Sequence, residues 1–212
     1  MTKKISLAAV IFILSLVSLA PLSHGMDKPM RHEKAIGVKH ALRDLWTDHV
    51  FWVRSVVLAT SRGDKDAAKA YEDKVVENAK SIAASIEPFY GKDASDALFK
   101  LLAGHYGAIK DYMNASFEGN NDAKSAALDA MNKNAGEITD FLNGANPKYW
   151  PKDAVSALLM AHIGHHAAQI NDVSAKDFAA EANEWAPMKK NAQDIADALT
   201  MGLVKQFPKK FK

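Results

Sequence analysis

Ala41-Leu42-Arg43-Asp44-Leu45-Trp46-Thr47-Asp48-His49 is the first of three stretches of the form Ala-Leu-x6-His. The others are Ala97-Leu98…His105 and Ala157-Leu158…His165. Each is followed by Asn-Ala-x-x-Ile-x-x-x-Ile/Leu: Asn78-Ala79…Ile82…Ile86, Asn134-Ala135…Ile138…Leu142 and Asn191-Ala192…Ile195…Leu199. The recurrence predicts an all-α bundle of about six helices, built as an internal repeat of three helical hairpins. Each hairpin carries one His and one Asn on an apolar stripe. Leu42, His49 and Val53 share one helical face, and so do Val75, Asn78 and Ile82.

Working outward, helices are expected at about His40–Thr60, Asp66–Glu87, Ala94–Ala115, Ala123–Asn143 and Ala154–Asp172, with a last one ending near Phe207. Gly63 and Gly119 sit in the first two hairpin turns, followed by Asp64 and Asn120-Asn121-Asp122 as caps. Asp64-Lys65-Asp66 resembles the bare Asp-x-Asp of metal-dependent sugar transferases, but at a helix start it reads as capping. The third turn is expected to be shorter; it lacks Gly and offers Ser174-x-x-Asp177 as its cap. Pro187 predicts a kink or split in the last helix. The helix around Trp46, Val50, Phe51, Trp52, Val53 and Val56 is apolar nearly all round and reads as central.

Lys3 and Lys4, the apolar run Ile5–Ala20 and Ser23-x-Gly25 read as a secretory signal peptide over residues 1–25. The expected product is periplasmic or secreted, a single domain over 26–212 with no stable membrane span. The chain holds 27 Lys and Arg against 25 Asp and Glu. Loss of Lys3 and Lys4 balances the charges, so no nucleic-acid partner is indicated. The basic end Lys205–Lys212 reads as solvated. The absence of cysteine excludes thiol nucleophiles, thiolate metal sites and disulfides. Gly-rich phosphate loops, Gly-x-Ser-x-Gly and dinucleotide fingerprints are missing from the sequence.

The chemistry therefore rests on histidine. One reading pairs His49 with Asn78, His105 with Asn134 and His165 with Asn191 as structural clasps, each pair equidistant from its turn. A second reading gathers His49, His105 and His165 into a zinc or copper site, with each Asn orienting an imidazole. The third unit adds His162-x-x-His165-His166-x-x-Gln169. Aligned by its Ala-Leu, it sets His162, His166 and Gln169 where the other units are apolar. That departure makes His162, His165 and His166 metal candidates, unless this face meets water. His40, Asp44 and Asp48 form a further polar strip, read as solvated. Haem ligation by a core His with Met113, Met131, Met160 or Met188 is a weaker alternative.

Leu45-Trp46-x-x-His49-Val50-x-Trp52-x-Arg54, Pro88-Phe89-Tyr90-Gly91 and Ala198-Leu199-Thr200…Lys205-Gln206-Phe207-Pro208 resemble a family of small bacterial helical proteins, over most of the chain. Some of its members bear a glycosyltransferase name, which no sugar-nucleotide motif here supports. The resemblance implies that the three His positions recur and that position 191 admits His; it brings no catalytic residue. The expected function is a non-enzymatic bundle binding a small ligand or transition metal through histidines. An enzyme with an Asn-oriented His as general base is the first alternative. A purely structural or partner-binding bundle is the second. Oligomeric state is not legible.

Overall fold

A computed structural model describes the backbone from Asp27 to Lys212 and the side chains from Glu33 onward. The expected signal peptide lies outside the described residues. Among the described residues, six long helices and one short one follow in order: α1 Asp27–Ser61, α2 Lys65–Ala84, α3 Glu87–Tyr90, α4 Lys92–Glu118, α5 Asn121–Ala145, α6 Lys152–Ser174 and α7 Phe178–Gln206. There is no strand among the described residues. No described helix is long and apolar enough to cross a membrane.

Each long helix packs against the next, and α7 returns to α1, so the six close into a ring. Contacts of α6 with α1 and with α4 cross the interior. The three helices α1, α4 and α6 thus lean inward, and short turns make them run in the same direction. Side chains at one height on them therefore face a common axis.

The turns are set by local chemistry. Asp64, Asn120 and Asp177 accept hydrogen bonds from the backbone N–H of Ala67, Ala123 and Ala180 at 3.0, 3.1 and 2.9 Å. Each satisfies a first-turn donor that the helix leaves open. The residue before each cap has positive φ: Gly63 at 71°, Gly119 at 69° and Lys176 at 59°. The third turn is therefore not shorter than the others. It has the same geometry, with Lys176 in the place of glycine.

Three other expectations change. The helix α7 runs unbroken through Pro187, which removes only the bond its missing N–H would give Asn183. The helix α1 is not central, because Ile36, His40, Asp44, Asp48 and Phe51 form an exposed face. His40, Asp44 and Asp48 are the solvated strip their spacing suggested. The C-terminal end is anchored rather than free. Phe211 is buried and stacks on Phe89 at 5.7 Å between ring centroids. Trp150 is buried too, 6.0 Å from Tyr90 between ring centroids, and a Cβ on Gly202 would lie 2.0 Å from its indole nitrogen.

Candidate metal centre

The α1 stripe Leu42, Trp46, His49 and Val53 is buried, as are Leu98, Leu102, His105 and Ile109 on α4. On α6 the buried stripe is Val155, Leu159, His162 and His166. The third histidine of the set is thus His162. Its separation from Asn191 equals that of His49 from Asn78 and of His105 from Asn134. Aligning on Ala157-Leu158 places the third unit one helical turn too late. Leu158 is only half-buried, and Val155 takes the place of Leu42 and Leu98. The corrected register puts His166 where the others have Val53 and Ile109, and Gln169 where they have Val56 and Tyr112.

Each Asn fixes the helix beside it. The Nδ2 of Asn78 donates to the Leu45 carbonyl at 2.9 Å, that of Asn134 to Leu101 at 3.1 Å, and that of Asn191 to Leu158 at 3.1 Å. Every accepting carbonyl lies one turn before a histidine of the set. The carboxamide oxygens of Asn78, Asn134 and Asn191 are buried without a partner. The Asn134 and Asn191 groups sit beside the His105 and His162 rings without the alignment of a formed hydrogen bond. The clasp therefore closes on the main chain next to the imidazole, at His162 rather than His165 in the third hairpin.

His49, His105, His162 and His166 meet on the axis. Each offers one ring nitrogen, and these four atoms lie within 4.8 Å of one another. His162 Nε2 and His166 Nε2 are 3.1 Å apart, their rings brought together by the one-turn step on α6. Four nitrogens bound tetrahedrally at about 2.0–2.1 Å from one ion would be spaced about 3.3 Å apart. The rings converge on one point, and the widest-spaced nitrogens, up to 4.8 Å apart, would have to close by about 1.5 Å to hold a single first-row ion.

His165 is not in this group. Its Nδ1 bonds the Glu184 carboxylate on the partly exposed side of α6. The fourth imidazole, His166, is among the sequence candidates; the group's composition is not what the repeat alignment alone suggests.

Burial keeps these rings neutral. It lowers His49 from the ordinary 6.5 to about 3, with the facing His105 adding a smaller push. His105 falls to about 4 by burial, with the Asn134 carboxamide working the other way. His162 and His166 are pushed well below 6.5, by burial first and by neighbouring imidazoles second. Neutral imidazoles are the metal-binding form. Nδ1 of His49, His162 and His166 and both ring nitrogens of His105 have no hydrogen-bond partner. Each such buried atom costs about 1–3 kcal/mol, and packing alone gives no reason to assemble them.

A second polar group extends from the centre toward the surface. Gln169, one turn beyond His166, donates to Glu181 at 3.2 Å. Glu181 is buried and takes a two-pronged pair from Arg54 at 2.5 and 2.8 Å. Sequence reading missed Glu181 and Arg54, since neither lies on a repeated position. The cavity beside the imidazoles is about 10 Å3, which leaves no room for a porphyrin. Met113, Met131 and Met188 are core residues, and Met160 is exposed.

No family model, curated protein or solved structure matches this chain.

Proposed function

We propose that this bundle binds one transition-metal ion, zinc or copper, through His49, His105, His162 and His166, and that it is a carrier or holder rather than a catalyst. The observation that carries the reading is the convergence of four buried, neutral imidazoles from three helices, with five of their ring nitrogens lacking a hydrogen-bond partner. Imidazole suits both metals. Asn78, Asn134 and Asn191 act behind the ligands by fixing the turn on which each repeated histidine stands. The near-identical spacing of the three hairpins supports their origin as one repeated unit. The general-base alternative needs space for a substrate at the ring nitrogens, and the small cavity there speaks against it.

The N-terminal pattern of two lysines, an apolar run and a small-residue site supports export to the periplasm or beyond. N-terminal sequencing of the mature protein tests that part: a chain beginning near Met26 is expected, and one retaining Met1 in the cytoplasm removes it. For the metal, the test is elemental analysis of protein purified from its native compartment, followed by titration of zinc and copper into metal-free protein. One ion per chain is expected. Binding no tighter than to a histidine-poor helical protein would leave a purely structural bundle.

A further inference from the structure

The four axial imidazoles are buried, so an ion needs a way in. On the α2 and α5 side the wall beside them is aliphatic, made of Ile82, Ala135 and Ile138. Such a wall offers nothing to replace the water of an ion. The side of α6 that meets α7 is different. Gln169 and Glu181 carry polar atoms there toward Arg54. His165 and Glu184 pair nearer the surface, with side-chain exposures of 23% and 21%.

The His165–Glu184 pair is a second departure from the repeat. In the register that aligns His162 with His49 and His105, the place of His165 is held by Trp52 and Ala108. In the same register the place of Glu184 is held by Tyr71 and Ala127. The first hairpin fills the pair with two rings 6.0 Å apart, and the second with two alanines. Packing between the two helices of a hairpin therefore does not call for an imidazole and a carboxylate here.

The chemistry of the pair is that of a metal ligand. A carboxylate only accepts, so His165 Nδ1–H donates to Glu184. In the neutral ring this leaves the lone pair on Nε2, which makes no hydrogen bond among the described residues. A carboxylate behind an imidazole fixes the tautomer and orientation of histidine ligands and raises their basicity. His165 also stands one turn after His162 and immediately before His166. It is near enough that its charge opposes charge on the His166 ring.

We infer that His165, backed by Glu184, is the exchange site of the protein: a transition-metal ion first binds His165 Nε2, passes from it to His162 and His166, and leaves by the same route. This rests on the metal reading above. The ion gives up one bound water to His165 and the others to the axial rings, and His165 then lets go. No electron is transferred, and no proton has to leave a neutral ring. A group that serves both entry and exit changes the two rates by the same factor and leaves the affinity as it was.

The experiment mixes the metal-free full chain rapidly with zinc, and separately with copper(II), each held weakly by a metal-sensitive dye. Loss of the dye complex gives the uptake rate, and return of the ion to excess dye gives the release rate. His165→Ala and His165→Gln should slow uptake and release alike by about tenfold or more, with Kd unchanged within about twofold. Glu184→Gln should slow both severalfold, because the ring loses its fixed tautomer. His40→Ala, on the exposed face of α1, should change neither rate. Two substitutions at the partly exposed position 165 guard against one that unfolds. Wild type that takes up neither ion removes the metal reading and this inference together. Rates equal to wild type in all three variants at 165 and 184 overturn this inference alone and leave the metal reading standing. Slower uptake with unchanged release overturns it too, since affinity then falls and His165 belongs to the final site or its frame.

Discussion

Helices α4 and α6 occupy equivalent places in the ring, yet only one is chemically plain. Both put a histidine on the axis, His105 and His162, and both are held there by an Asn bonded to the carbonyl one turn earlier. Beyond that point α4 continues with Ile109 and Tyr112, as α1 continues with Val53 and Val56. The helix α6 continues with His166 and Gln169, all but fully buried. The same frame thus accepts apolar residues at these positions. The polar ones on α6 are not demanded by packing, so their cost has to be met by what they bind.

Reversing that difference should have the largest effect. His166→Ile gives α6 the residue of its sibling. Metal affinity should fall at least a hundredfold, while the melting temperature of the metal-free protein should change little, since the unpartnered His166 Nδ1 goes but His162 Nε2 loses its partner at 3.1 Å. His165→Ala should leave affinity unchanged, because that ring faces Glu184. Calorimetric titration of both variants checks this. Loss of binding in His165→Ala with retention in His166→Ile would move the site to the other face of α6.

The next effect is on acid stability. The four axial imidazoles are held neutral in the folded chain, two of them down to about 3 and about 4. The unfolded chain takes up protons on the same rings near their ordinary 6.5. Below that pH the unfolded state binds more protons, so stability is fully present above about 6.5 and is lost as pH falls toward the folded values. Each ring contributes a slope of up to about 1.4 kcal/mol per pH unit. Metal-free protein unfolded in urea at a series of pH values from 7 downward should show this fall, and His166→Ile should show a shallower one. Parallel curves for the two would mean that His166 is not kept neutral by burial.

These sites were unevenly legible in the sequence. Most helix starts could be read because the signals are local: Asp64 and Asn120 cap as isolated residues do. The start of α1 could not, since it begins at Asp27 rather than near His40, and the last helix is capped by Asp177, while Ser174 ends α6. The histidine and asparagine positions were readable because polar groups stand out on apolar stripes. The register of α6 was not, for a physical reason. Ala157-Leu158 copies the letters of Ala41-Leu42, but burial follows the stripe, and there Val155 replaces Leu42. The constant His-to-Asn separation carried the right answer and pointed to His162. The Arg54–Glu181 pair joins α1 to its ring neighbour α7, where the first and last hairpins meet, a contact that no spacing within one hairpin encodes.

A smaller effect tests whether the frame is equal in all three hairpins. Asn78→Ala, Asn134→Ala and Asn191→Ala each remove one bond to a main-chain carbonyl. Each should lower stability by about 1–2 kcal/mol by urea unfolding. Similar losses would show that α6 is held like its siblings and differs only in what it presents. A much smaller loss at Asn191 would mean that the third hairpin is fixed by the Gln169–Glu181–Arg54 group instead.

The smallest effect concerns the turns. Lys176 holds φ at 59° where Gly63 and Gly119 hold 71° and 69°. A side chain in that left-handed conformation costs roughly 1–2 kcal/mol. Glycine avoids this but carries an unfolded-state entropy penalty of about 0.5–1 kcal/mol. The difference favours glycine slightly, so Lys176→Gly should stabilise the protein by about 0.5 kcal/mol. The reverse change, Gly119→Lys, should destabilise it by a similar amount, because a Cβ at position 119 meets nothing within 4 Å and only backbone strain is introduced. Paired urea titrations measure both changes. Opposite signs of similar size would show that the third turn is the same turn with an ill-suited residue. A loss of stability in Lys176→Gly would instead show that the lysine side chain makes a stabilising interaction which glycine cannot replace.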